Sequence, residues 1–544
     1  MKKIIYTMVA AALMAGVSSC DLDQYPHTSE TAQNVLTSVE GYQSELSGIY
    51  AALIQRVSSV SDETRSQNYI RTLMMFQDCS TDACDAIWLA GESLTDVNGL
   101  SWTASDPWCS AMYYHIYNIV TMSNDLIRNA SNEEYLSRFN DTERAQIEKY
   151  KNEARFLRAY AYSHAIDFYS SMPFVDENDP IGANIIPEIY DRTQMFNFIT
   201  SELTEIAPLL DQTNYGHANR GAAYALLARV YLNGYVWTGK EYYNECITAC
   251  QNVIDEGYTQ LETDYASLFN GDNHKRAMAA GNEIIFALAC DATRTTTWDA
   301  TTFITCGCVL DNFADYVNVW GTLNSGAWNN LRARPDLVQA FNSASDTRYR
   351  FIGYDRSDPV TDPEGNVTYT QTDRSMDITA HDDASTGYRI SKWTNLTDDG
   401  QAASDCSTNG ANTDFPVFRL ADVYLMMAEA IKRGGTGAAN DAVHYVNKVL
   451  ERAYGNSDHN IASDGDLTLD FLCQERLREL YMECIRRTDL IRFGKYTSSD
   501  YVWQWKAGVQ AGAGVDEKYR FLPVPEAEYS VNPQLQEINN ALGF

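Results

Sequence analysis

A set of helical hairpins with a repeat signature constrains this chain more than any other feature. Tyr224, Leu227, Ala228 and Tyr231 fill the aromatic, Leu, small and Tyr positions of a tetratricopeptide helix, and Ala249 and Val253 continue the pattern in the next helix. Tyr424, Met427, Ala428 and Ile431 make a looser copy, followed by Ala442 and Val446. Small residues let paired helices approach closely, and large ones fill the groove between them. A single hairpin of this kind cannot bury its own apolar face, so hairpins must stack. The expected fold is mainly α, a tetratricopeptide-like scaffold of about three or four degenerate repeats.

The periodicity places helices over Pro107–Arg128, Thr142–Tyr169, Gly221–Tyr235, Tyr242–Glu256, Pro416–Arg433, Ala438–Ala453 and Asp470–Phe493. Two insertions interrupt them, at about 58–106 and 258–414. Both are rich in Asp, Asn, Thr, Ser, Gly and Trp, with no sustained helical period. The second is too long for a structureless loop and is expected to hold short strands, such as Glu283–Ala289. Residues 20–544 then form a single domain: scaffold at about 107–257 and 416–494, two insertions, and a closing segment over 495–544.

Residues 1–19 resemble a secretory leader. Lys2 and Lys3 precede the apolar run Ile4–Val17, which is too short to span a bilayer. Ser18 and Ser19 lead into Cys20, as in a bacterial lipobox, where the cysteine is acylated and anchors the protein to a membrane. Of twelve cysteines, eleven remain once Cys20 carries lipid, so at least one is unpaired. Most read as free thiols, and the Cys79/Cys84 pair is the best placed for a disulfide.

The formal charge of −32 opposes any phosphate backbone, so no nucleic acid is expected as a partner. Enzyme signatures fail one by one. Gly234–Glu241 has the glycine and lysine spacing of a phosphate loop, but Glu241 stands where Ser or Thr must hold magnesium, and a helix precedes it. No His-Glu-x-x-His occurs, and His164 reads as a packing residue. Adjacent acids such as Asp382 and Asp383 arise by chance among 73 carboxylates. No catalytic residues, resident metal or cofactor are assigned. Calcium has two conceivable loops, Asn270–Asn273 and Asp362–Asn366, neither with full EF-hand spacing. In the last helix, Glu475, Glu479 and Glu483 face Arg478, Arg486 and Arg487. Glu483 and Arg487 are spaced as an i,i+4 pair in a solvated or intramolecular ion network, with a partner-contact surface as the alternative.

Seven motifs in order give the chain a family likeness. They are the lipobox with Asp21–Asp23, Glu153–Tyr160 (EARFLRAY), Ala225–Leu232 (ALLARVYL), Asn282–Phe286 (NEIIF), Arg419–Ala430 (RLADVYLMMAEA), Arg486–Gly494 (RRTDLIRFG) and Leu522–Pro525 (LPVP). Together they resemble the SusD/RagB family, outer-membrane lipoproteins that capture glycans for a TonB-dependent transporter of the SusC type. Ala222–Ala300 is most similar to the family's starch-binding members. The resemblance implies a non-enzymatic, cell-surface protein held in the outer membrane through Cys20. It also implies an arc of aromatics from the two insertions that cradles a glucan. The candidates are Trp88, Trp102, Trp298, Trp320 and Trp328 as stacking platforms, with Asn98 and Asn329 bonding sugar hydroxyls. The alternatives are capture of peptides or another nutrient, or a structural lid that touches no ligand.

Overall fold

The computed structural model describes residues 36–57, 68–180, 186–277, 282–310, 313–323, 326–436 and 442–544. The leader, Cys20 and residues 58–67 of the first insertion lie outside them. Helices dominate, and the strands are short and paired two by two. The elements that carry the argument are α1 (Val39–Ile54), α2 (Tyr69–Met74), β1 (Cys84–Ala86), α3 (Pro107–Asn129), α4 (Asp141–Phe168), α5 (Arg192–Ile206), α6 (Arg220–Leu232) and α7 (Tyr243–Asp255). Beyond them lie β2 (Ile284–Leu288), α8 (Ala300–Gly307), β3 (Leu331–Ala333), β4 (Phe415–Arg419), α9 (Leu420–Lys432), α10 (Ala442–Tyr454), α11 (Leu469–Leu480) and α12 (Arg486–Arg492).

Local chemistry sets the helix starts. Asp106 accepts the N–H groups of Trp108 and Cys109, and Pro107 takes the first position of α3, where a missing N–H costs nothing. Capping boxes start α4 (Asn140 with Glu143) and α5 (Asp191 with Gln194). The helices then stack in sequence: α3 on α4, α4 on α5, α5 on α6, α6 on α7, α7 on α9, and α9 on α10 and α11. The repeat residues Leu227, Ala228, Ala249, Val253, Met427, Ala428 and Val446 are buried at these contacts. One apolar core runs from Leu36 to Leu535. Among the described residues no helix is long and apolar enough to cross a membrane.

Two expected helices differ from the pattern. The span from Pro416 opens as strand β4, antiparallel to β2, and turns helical only at Leu420. Pairing with Ile284–Leu288 outweighs the helix start that Pro416 signals, and it also supplies the expected short strand. The long helix from Asp470 breaks after Leu480, where Met482 and Cys484 take positive φ. Asp78, set in a π-helical turn after α2, accepts both of their N–H groups at 3.0 Å and holds that backbone.

The charged stripe is buried and intramolecular. Glu479 accepts bonds from Arg419 (3.0 Å), Arg348 (3.1 Å) and Arg452, and Glu483 pairs with Lys392 and Arg419. Arg487 bonds Asp167, so the expected Glu483–Arg487 pair does not form. His164 is enclosed, its Nδ1 2.6 Å from the Tyr69 hydroxyl, and burial drives its pKa down to about 3. The expected Cys79–Cys84 disulfide is not formed in this structure, nor is any other among the eleven described cysteines.

Candidate functional site

Two insertions meet at a short ladder. β1 pairs antiparallel with β3, placing Asp85 opposite Arg332 and Ala86 opposite Leu331. The pairing extends one step further, through the Ile87 N–H to the Asn330 carbonyl at 2.8 Å. Trp88 and Asn329 therefore emerge at the same end of the ladder, and both line a cleft of about 680 Å³. Trp88 is 52 % exposed.

Helix α8 organises the neighbouring face. Trp298 lies just before its first turn, 44 % exposed. At its other end the chain doubles back, and the N–H groups of Trp328, Asn329 and Asn330 bond the carbonyls of Cys306, Val309 and Gly307. These bonds satisfy carbonyls that a helix C-terminus leaves open. They also bring half-buried Trp328 to Trp298, with ring centroids 6.4 Å apart. Asn329 is held in the left-handed region at φ +53, a conformation that asparagine tolerates better than most residues.

A charged floor supports the cleft. Asp85 is fully buried; burial alone would raise its pKa, but Arg334, His381 and Arg332 together hold its carboxyl well below the usual carboxylate range. Arg332 donates from Nε to Asp85 at 3.0 Å and from Nη2 to the carbonyls of Ala380 (2.9 Å) and His381 (3.0 Å). One guanidinium thus ties the ladder to the loop carrying His381, Asp382 and Ala384, all of which line the cleft. His381 Nδ1 lies 3.1 Å from Asp85, and its ring packs 4.2 Å from Trp505, another lining residue. Arg71, on α2, bonds Glu92 from the first insertion and Asp299 from the second, locking the two together.

Three of the seven candidate residues belong to this structure's interior. Trp102 has no exposed surface and donates its indole N–H to the Phe521 carbonyl at 3.0 Å. Trp320 is equally buried, donating to the Ile390 carbonyl at 2.9 Å. Asn98 sits in the floor, donating to Asp85 at 3.2 Å and accepting from Arg334 at 2.6 Å. A ring with no free face cannot stack on a ligand, so the two tryptophans are corrected to anchors and Asn98 to a floor residue. Trp88, Trp298, Trp328 and Asn329 remain on the surface. Sequence reasoning missed His381 and Trp505. Neither stands in a motif, and Trp505 comes from the closing segment, whose Gln504 side chain accepts the Ile378 N–H at 2.8 Å and seats the loop before His381.

The calcium loops are internally occupied. Asp272 bonds Lys275 and the Asp398 N–H, while Asp398 pairs with Arg276. Asp362 accepts from Asn366. Among the described residues no group of three metal-ligating side chains converges.

A stacked-hairpin scaffold with an aromatic rim around a cleft defines a class of helical-repeat binding protein. Family models make that class specific. One described as "SusD family" matches residues 282–542, and one described as "Starch-binding associating with outer membrane" matches 45–232. The chain belongs to the SusD family. It is 28% identical to starch-binding protein SusD of Bacteroides thetaiotaomicron over 98% of both chains. It is 25% identical to SusD-like protein P25 of Formosa agariphila, covering 82% of this chain and 80% of that one. Among solved structures, surface glycan-binding protein A from Bacteroides thetaiotaomicron in complex with laminarihexaose shares the fold. Its TM-score is 0.65 at 19% identity, over 91% of this chain and 98% of that one. A protein of the same name from Bacteroides fluxus matches equally at 0.65, with 18% identity over 90% and 96%.

Proposed function

We propose that this protein captures a neutral glycan of the starch-type glucan class at the outer-membrane surface. Sugar rings would stack on Trp88, Trp298 and Trp328, while Asn329 bonds their hydroxyls. The observation that carries this reading is exposed Trp88 beside backbone-anchored Asn329 in the cleft lining, with the Trp298–Trp328 pair on the neighbouring face, tied to Asn329 through the end of α8. A pyranose presents a C–H face and a rim of hydroxyls, so a flat aromatic with polar neighbours is its natural complement. A neutral ligand also suits so acidic a chain.

The protein binds and does not convert. A glycosidase needs two carboxylates flanking the scissile bond. Among the described residues lining the cleft, Asp382 is the one carboxylate, and Asp85 beneath it is committed to two arginines. Captured glycan passes to a TonB-dependent transporter, with the protein held at the membrane by lipid on Cys20. The family's name and the 28% identical starch-binding relative support this assignment.

Titration of the purified protein with maltoheptaose tests the ligand, and saturable binding is expected. No binding to a panel of neutral glycans, with retention of peptides, would replace this reading by peptide capture. Cys20→Ala tests the anchor: the variant leaves the membrane fraction, and one that still sediments with washed outer membranes refutes lipidation.

A further inference from the structure

We propose that Cys306 and Cys406 are joined by a disulfide in the exported protein, a covalent staple beneath the Trp328 platform. Cys306 occupies the last turn of α8, and Cys406 opens the short helix Cys406–Asn409. Their sulfurs lie 3.2 Å apart across 100 residues of chain, and neither residue has exposed surface. They are about 1 Å from bonding distance. Ala411 completes the small apolar cluster around them, and Trp328 packs directly against it. The Trp328 N–H also bonds the Cys306 carbonyl at 3.1 Å, so a tether on Cys306 acts one residue-contact away from the indole.

Rival pairings fit less well. Cys246 and Cys250 stand one turn apart on α7, where Cβ atoms are about 5–6 Å apart, farther than the ~3.5–4.5 Å a disulfide requires. Cys79 and Cys84 also touch through their thiols, but Cys84 additionally directs its thiol at the Asp85 carbonyl, 3.8 Å away, and a bond between them would close a loop of few residues. Cys473 accepts from Arg486. The compartment also matters. Disulfides persist outside the cytosol, where an outer-membrane protein folds. The proposal rests on that location and not on the glycan reading, so the two fail separately.

The chemistry is exchange with a disulfide oxidant of the envelope, of the form RSSR. One cysteine thiolate attacks RSSR, forming a mixed disulfide and releasing one RS⁻. The second thiolate attacks the protein sulfur of that bond and releases the other RS⁻. The pair loses two electrons and two protons, and RSSR gains them as two RSH. Contact with Cys406, then burial, holds the Cys306 thiol protonated in the folded protein. Exchange therefore belongs to folding, before α8 docks. Once made, the bond closes a long loop and fixes the insertion that presents Trp298 and Trp328.

Full-length protein from outer membranes, unfolded and alkylated without reductant, then digested, gives the direct test. The expected result is a single species containing both cysteines, two hydrogens lighter than the separate peptides and split by reductant. Reduction should also lower the melting temperature of the wild type by several degrees while leaving Cys406→Ser unmoved. Full alkylation of both cysteines without reductant overturns the proposal, as does linkage of Cys306 to any other cysteine. A bond whose reduction leaves the melting temperature unchanged overturns the staple. Peptide mapping uses the wild type alone, so it decides the pairing whether or not Cys406→Ser folds.

Discussion

The floor and the rim of the cleft use similar residues for opposite ends. Beneath the surface, Trp320 and Trp102 are enclosed anchors with their indole N–H groups spent on carbonyls, and in the floor Asp85 and Asn98 are bonded to arginines. At the surface, Trp88 on the cleft and Trp298 on the neighbouring face keep about half their area in water, and half-buried Trp328 leans on Trp298. The rim is not loose for being exposed. Trp328, Asn329 and Asn330 hang on the end of α8, and Trp88 extends the β1–β3 ladder. Exposure alone does not make a binding surface; exposure on a backbone fixed by hydrogen bonds does, because little order remains to be lost when ligand arrives.

That contrast is broken most directly at Trp320. Trp320→Ala removes a fully buried indole and should cost about 3–5 kcal/mol of stability, read as a large fall in the denaturant midpoint. A small loss would mean that this buried tryptophan is no anchor.

Asp85→Asn is expected to cost less, about 3 kcal/mol at neutral pH, near the low end for breaking a buried ion pair. Its pH dependence sharpens the test. The folded pKa of Asp85 lies below its unfolded value, so its stabilisation is complete above the ordinary carboxylate pKa and is lost as pH falls through the folded value. The gap between wild type and Asp85→Asn should therefore be constant from pH 8 to 5 and narrow only in stronger acid. A gap that closes between pH 7 and 5 would show that Asp85 is not held ionised.

The smallest effect on stability, and the decisive one for binding, comes at the rim. Trp298→Ala and Trp328→Ala should each weaken maltoheptaose binding by about 1–3 kcal/mol, the scale of stacking on an aromatic platform, with melting temperatures nearly unchanged. Lost stability at unchanged affinity would assign both residues to the anchors.

Much of this was legible from residue order. The hairpins around Tyr224–Tyr231 and Tyr424–Ile431 were visible because a 3.6-residue period is written locally. The insertions stood out by composition, and four of the seven proposed contact residues reached the surface. The errors share one cause. Trp102, Trp320 and Asn98 lie in the same polar segments as the rim residues, and no local pattern distinguishes a tryptophan docked on Phe521 or Ile390 from one facing water. Arg487 likewise found Asp167, far away in the chain, in preference to the glutamate one turn before it.

The sequence by itself determined the stacked-helix scaffold and the family, because periodicity and ordered motifs are short-range properties. Only the tertiary structure decided which aromatic rings are available, that Arg71 and the β1–β3 ladder bring the two insertions to one cleft, and that His381 and Trp505 join it. Those outcomes depend on contacts between residues hundreds of positions apart. Burial and hydrogen-bond partners are assigned by packing, and packing does not exist until the whole chain has folded.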